Sequence, residues 1–116
     1  MNRIVFVLVI LMAGMATESK AQVFKTKLQV VVRNDLGNTV EGATVTLYKT
    51  EADYDEEKNP VQTAQTTAKG KVLFMGLEPI SYYMNVEKDD LNNVGRGAKT
   101  TKLIDKKKNI VDVIIE

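Results

Sequence analysis

Apolar and polar side chains alternate along most of the chain beyond Gln22, in short runs parted by turn residues. No stretch there carries the three-to-four spacing of an amphipathic helix. A period of two sends successive side chains to opposite faces of a pleated strand, so each run reads as a strand with one face in a core. Phe24–Arg33 sets Leu28, Val30 and Val32 inward and Lys27, Gln29 and Arg33 outward. Asn34-Asp35-Leu36-Gly37-Asn38 is a turn, because Asx side chains and Gly tolerate the positive φ that tight connections require. Ala43–Thr50 points Ala43, Val45 and Leu47 inward and Thr44, Thr46 and Tyr48 outward.

Residues 51–60 break the alternation with Glu51, Asp53, Asp55, Glu56, Glu57 and Pro60, and read as a surface loop. Val61–Thr67 is a polar strand expected at a sheet edge. Ala68-Lys69-Gly70 turns the chain into Lys71–Met75, with Val72 and Phe74 inward, and the bend Gly76–Pro79 sends Leu77 into the core. Ser81–Lys88 presents Tyr82, Met84 and Val86 on one face. A second polar loop spans Asp89–Ala98. Lys99–Ile104 and Asn109–Glu116 are expected as the last two strands, joined by the basic turn Asp105–Asn109, with Val111, Val113 and Ile115 closing the core. Seven short strands with regular turn signals predict an all-β fold, a single seven-stranded antiparallel β-sandwich.

The first residues follow different rules. Arg3 precedes an apolar run from Ile4 to Ala16, and Ser19-Lys20-Ala21 places small residues at the −3 and −1 positions of a signal-peptidase site. The run is shorter than the roughly 20 residues of a membrane-spanning helix. Residues 1–21 therefore read as a cleavable signal peptide, and residues 22–116 as one exported domain with no membrane span after cleavage, periplasmic or at the cell surface. The chain has no Cys, so neither a lipoprotein anchor nor a disulfide is available. A domain this small must then rest on a packed core and a regular sheet. Cleavage would remove Arg3, Lys20 and Glu18, turning 16 basic and 15 acidic residues into equal numbers. A neutral domain is a poor electrostatic partner for nucleic acid. The charges still segregate: carboxylates crowd residues 51–57, while Lys99, Lys102, Lys106, Lys107 and Lys108 crowd another stretch.

The order of these runs resembles carboxypeptidase regulatory-like and Cna-B domains, both transthyretin-like sandwiches. Leu28-Gln-Val-Val-Val-Arg-Asn-Asp-Leu-Gly37 followed by Val40-Glu-Gly-Ala-Thr-Val-Thr-Leu47 is similar to their opening strand pair. Thr66-Thr-Ala-Lys-Gly-Lys-Val-Leu-Phe74 resembles the next hairpin, and Gly76-Leu-Glu-Pro79 with Tyr82-Tyr-Met-Asn-Val86 the element after it. Ile80 departs from the pattern, standing where the family usually has Gly. The resemblance implies a structural, accessory or adhesion module of an envelope or surface protein. Some Cna-B domains form a Lys–Asn isopeptide bond, but Arg33 occupies the place of the reactive Lys here, so none is expected.

Chemistry is sparse. With no His and no Cys, the usual neutral-pH base, Ser-His-Asp and Cys-His triads, and His- or Cys-rich zinc sites are excluded. The chain is therefore read as not an enzyme and as having no cofactor, calcium being the one exception considered. Hard cations take clustered oxygen ligands on loops, and Asp53, Asp55, Glu56 and Glu57, or Asp89, Asp90, Asn92 and Asn93, supply them. Glycans would need exposed rings, for which Tyr48, Tyr54 and Tyr83 qualify. The Val61–Thr67 edge could accept a strand from another chain. The leading reading is a protein–protein interaction module whose partner is another envelope or surface protein. Its contact surface is expected on the 51–60 and 89–98 loops, at Tyr54, Asp55, Asp89, Asn92 and Arg96. The alternative is a small ligand, glycan or calcium, at the same loops, with Asp53, Asp55, Asp89 and Asp90 as metal ligands.

Overall fold

The computed structural model describes residues 26–116; the expected signal peptide and residues 22–25 lie outside the described residues. Seven strands and one helix follow in order: β1 (Thr26–Asn34), β2 (Thr44–Tyr48), α1 (Glu51–Glu56), β3 (Gln62–Gln65), β4 (Lys71–Leu77), β5 (Tyr83–Lys88), β6 (Leu91–Asn92) and β7 (Lys108–Ile115). They form a three-stranded sheet, β4-β1-β7, packed on a four-stranded sheet, β3-β2-β5-β6.

The core lies between the sheets, where the alternation placed it. Leu28, Val30 and Val32 of β1 meet Val45 and Leu47 of β2, Phe74 of β4, Met84 and Val86 of β5, and Val113 and Ile115 of β7, all buried. Tyr82, Leu77 and Leu103 plug the ends of this layer. Each such side chain contributes roughly 1.5–3 kcal/mol when withdrawn from water. Val31 faces outward yet is buried, because β1 is the central strand of its sheet and Lys71 and Asp112 flank it on the neighbouring strands.

Several expectations are corrected. The sandwich is not purely antiparallel: β1 runs parallel to β7, in register from Lys27 opposite Lys108 to Asn34 opposite Ile115. Alternation reports which face a residue takes and is blind to strand direction. Residues 51–60 are not all loop. The Thr50 hydroxyl accepts a hydrogen bond from the Asp53 amide at 3.1 Å, Glu51 and Asp53 lie in the first turn, and α1 forms. The six-residue helix is too short for an amphipathic stripe to register in the sequence. Residues 89–98 contain β6. Lys99–Ile104 is not a ladder strand: only Lys99 bridges to Tyr83, while the Thr100 amide donates to Tyr82 O and the Leu103 amide to Ile80 O. Nor do Lys99–Ile104 and β7 make a hairpin. The Asn109 side chain joins them at the turn, accepting from the Ile104 amide at 2.8 Å and donating to the Ile104 carbonyl, and from there they part into different sheets.

Two features fix the ends of β1. Opposite its start, Thr26 pairs with Leu77 but Leu28 with Phe74, so β4 carries an extra residue there. Gly76 lies inside this bulge at φ 70°, a conformation that glycine adopts readily. Buried Thr26 also clasps the turn before β7: its hydroxyl donates to Asp105 Oδ1 and accepts from the Lys106 amide, each at 3.0 Å.

Candidate functional site

The outer face of the four-stranded sheet is polar and partly roofed. Thr44 and Thr46 of β2 lie opposite Glu87 and Asn85 of β5, and Tyr48 lies opposite Tyr83. Over the tyrosine pair sits α1. The Tyr54 ring meets Tyr48 edge-on and Tyr83 at a tilt, both with centroids 6.0 Å apart. Lys99 Nζ lies 5.3 Å from the centre of the Tyr83 ring. The helix thus holds its place through one side chain, Tyr54, set against two rings of the sheet. Tyr48, expected to be exposed, is only 4% accessible, because α1 covers the outward face to which its parity sends it. Burial raises the pKa of the Tyr48 and Tyr54 hydroxyls, and neighbouring carboxylates raise it further.

Beside α1 the sheet forms an open cavity of about 260 Å³, lined by Tyr54, Asp55, Glu57, Asn85, Glu87 and Val94. Two expectations meet here: Tyr54 and Asp55 come from the 51–60 stretch and Val94 from the 89–98 loop. Asn85 and Glu87 were missed. Their outward parity was legible, but only the fold shows that a helix and a loop flank them. Four lining side chains can accept hydrogen bonds through carboxylate or amide oxygens, and one wall is aromatic, so the cavity suits a cationic or hydroxyl-rich group.

The other expected residues lie elsewhere. Asp89 and Asp90 form the β5–β6 turn, with Asp89 at φ 54°. The Asn92 side chain accepts from the Val94 amide, and its backbone exchanges hydrogen bonds with Glu116. Arg96 forms an ion pair with Glu116. Asp53 accepts from Asn59 at 3.3 Å. Asn93 is buried, and its amide is committed to β5: Oδ1 accepts from the Val86 amide at 3.0 Å and Nδ2 donates to Met84 O at 2.9 Å. Among the described residues, no three Asp or Glu side chains come together as metal ligands would. No helix there is long and apolar enough to cross a membrane.

No family model matches the sequence, and no curated protein sequence matches it. Solved structures do. The streptococcal ancillary pilin superimposes with a TM-score of 0.60 at 15% identity, over 79% of this chain. The chain spans 32% of that pilin's length. The group B streptococcus pilus 2b backbone protein follows at TM-score 0.48 and 17% identity, over 76% of this chain and 40% of that one. A chlorocatechol 1,2-dioxygenase from Pseudomonas putida gives TM-score 0.44 and 17% identity, over 79% and 61%. At such identities the likeness is one of fold. It bears on the sandwich fold, which both sides of the resemblance share.

Proposed function

We propose that this chain is an exported, non-enzymatic sandwich module that assembles with another envelope or surface protein, at the periplasmic or outer face of the cell. The observation that carries this reading is the roofed face of the four-stranded sheet, where half-exposed Tyr54 and the adjoining cavity stand on a rigid support. Aromatic anchors beside polar groups are a common composition for interface centres. The shared fold with a pilin supports the choice of a surface setting. The test is photo-crosslinking from Tyr54 and Val94 in cells producing the full chain. One dominant polypeptide is expected, lost in Tyr54→Ala/Asp55→Ala; recovery of the chain alone, reproducibly, would overturn the proposal.

A second reading draws on the same cavity: a small ligand, glycan or calcium. Tyr54 offers a ring face, and Asp55, Glu57 and Glu87 offer oxygens around the opening, spaced apart rather than gathered on one point. Millimolar calcium should then raise the melting temperature, and Asp55→Ala/Glu87→Ala, which removes two lining carboxylates, should remove the rise. An unchanged melting temperature would discard calcium. For glycans, the sign would be protection of Tyr54 and Tyr83 from modification by added polysaccharide.

A further inference from the structure

The hairpin that does not form leaves β7 open. On one side β7 bonds to β1. On the other, the Glu116 amide donates to Asn92 O at 3.0 Å and the Glu116 carbonyl accepts from the Asn92 amide. By the period of two, the N–H and C=O groups of Ile110, Asp112 and Ile114 point to that same outer side. Among the described residues none of the three has a backbone partner there. Residues 101–104, which could have covered them, instead turn toward the other sheet. Between those residues and residues 108–111 runs a slot of about 490 Å³, lined by Leu103, Ile104, Ile110 and Val111 with Lys102 and Lys108 at its rim.

An open edge is normally short, or guarded by Pro, bulges or Lys. β3, the polar edge expected to accept a strand, obeys that rule: it has four residues, and its Gln62 side chain donates to Met75 O at 2.8 Å. β7 does not. It spans eight residues, and between Asn109 and Ile115 it has no Pro, Gly or Lys; its one charge there, Asp112, pairs with Arg33 of β1 at 3.7 Å. Its flanking apolar side chains are exposed: Ile104 by 64%, Ile110 by 61% and Ile114 by 42%.

We infer that the free edge of β7 receives an extended strand from a different polypeptide, completing the three-stranded sheet. Main-chain hydrogen bonding specifies an extended occupant. Ile110 and Ile114, flanking Asp112 on one face, specify apolar residues four apart in the occupant, and Ile104 adds to that apolar wall. The exposed Lys102, Lys106, Lys107 and Lys108 specify acidic residues at the end lying beside them. A second copy of β7 fits poorly: centred antiparallel on the free edge it would set Asp112 directly opposite Asp112, a like-charge pair. This inference rests on the assembly reading and gives it a second surface and a partner chemistry.

The experiment places a photo-crosslinker at Ile110 and at Ile114, with Tyr54 and Val94 as separate sites, in cells producing the full chain. Cross-linked peptides are mapped, and the captured segment is synthesised as the probe. The expected result is that Ile110 and Ile114 both reach one segment of another protein, with apolar residues four apart and acidic at one end. That peptide should slow amide exchange at Ile110, Asp112 and Ile114, and Ile110→Pro should weaken its binding by about tenfold or more. The Ile110 amide is not in the β1 ladder, so Pro is tolerated there; should that variant not fold, Ile110→Lys/Ile114→Lys must show the same loss. Cross-links from Tyr54 and Val94 but not from β7 would overturn the edge inference and leave the assembly reading standing. Cross-links from none of the four sites would overturn both. Capture of another copy's β7, or protection of other amides, would also overturn the inference.

Discussion

Asn93 does with a side chain what a strand would do with its backbone. After two residues of β6 the chain leaves the ladder, and the Asn93 amide takes up the Val86 N–H and the Met84 C=O in its place. Asn93→Ala orphans both groups inside the protein, each worth roughly 1–3 kcal/mol. The variant is expected to lose about 3 kcal/mol in urea unfolding. Tyr82 serves similarly at the other end of β5, where its hydroxyl accepts from the Glu78 amide at 2.9 Å. Burial pushes that hydroxyl above its ordinary pKa of about 10, and the same holds for Tyr48 and Tyr54. Ionisation is then easier in the unfolded chain than in the native one. The resulting stability is intact below pH 10 or so and is lost as pH rises through the native tyrosine values. Melting temperature should therefore fall steeply in alkali, and Tyr82→Phe should show a shallower fall from a start about 1 kcal/mol lower. The inward faces of β1, β2 and β5 were legible as simple parity. Asn93 was not, since a buried amide that replaces main-chain pairing leaves no mark in an apolar pattern.

Helix α1 shows where local chemistry and packing divide the work. Thr50 caps its start, and Glu57 ends it at φ 53° with its N–H donating to Asp53 O and Tyr54 O. A left-handed conformation strains a residue with a side chain by about 1–2 kcal/mol. Glu57→Gly should therefore raise thermal stability by up to about 1 kcal/mol, the relief being partly offset by a freer unfolded chain. An isolated helix of this length does not persist in water, so Tyr54→Ala should melt α1. The sign would be loss of amide protection in residues 51–57 and new solvent exposure of Tyr48 and Tyr83, with the sandwich retained. Residues 51–57 read as loop because their five carboxylates carry no apolar stripe, and the one anchoring side chain is too little to make a period. The reading of Lys99–Ile104 as a strand failed for a related reason. That run and β7 both alternate and a turn joins them, yet Leu103 is drawn to Ile80 and β7 to β1, and each finds a deeper contact in a different sheet.

The two-layer architecture was legible from the count and spacing of the runs. The direction of β7 was not, because it depends on which strand β7 meets rather than on anything within it. That meeting is the widest span in the fold: β1 takes one neighbour from β4 and the other from the far end of the described chain. Cutting the chain after Asp105 should leave β1 with an open side and the core without Val113 and Ile115. The shortened protein is expected to lack cooperative unfolding, and a peptide of residues 106–116 supplied separately should restore it. The parallel pairing also sets a clock. β1 emerges early from the ribosome and lacks its second partner until residue 115 has followed it out, and pairings across such sequence distances form slowly. Until then the layer between the sheets lacks Val113 and Ile115, so the strand that completes the sheet is also the one that seals the core.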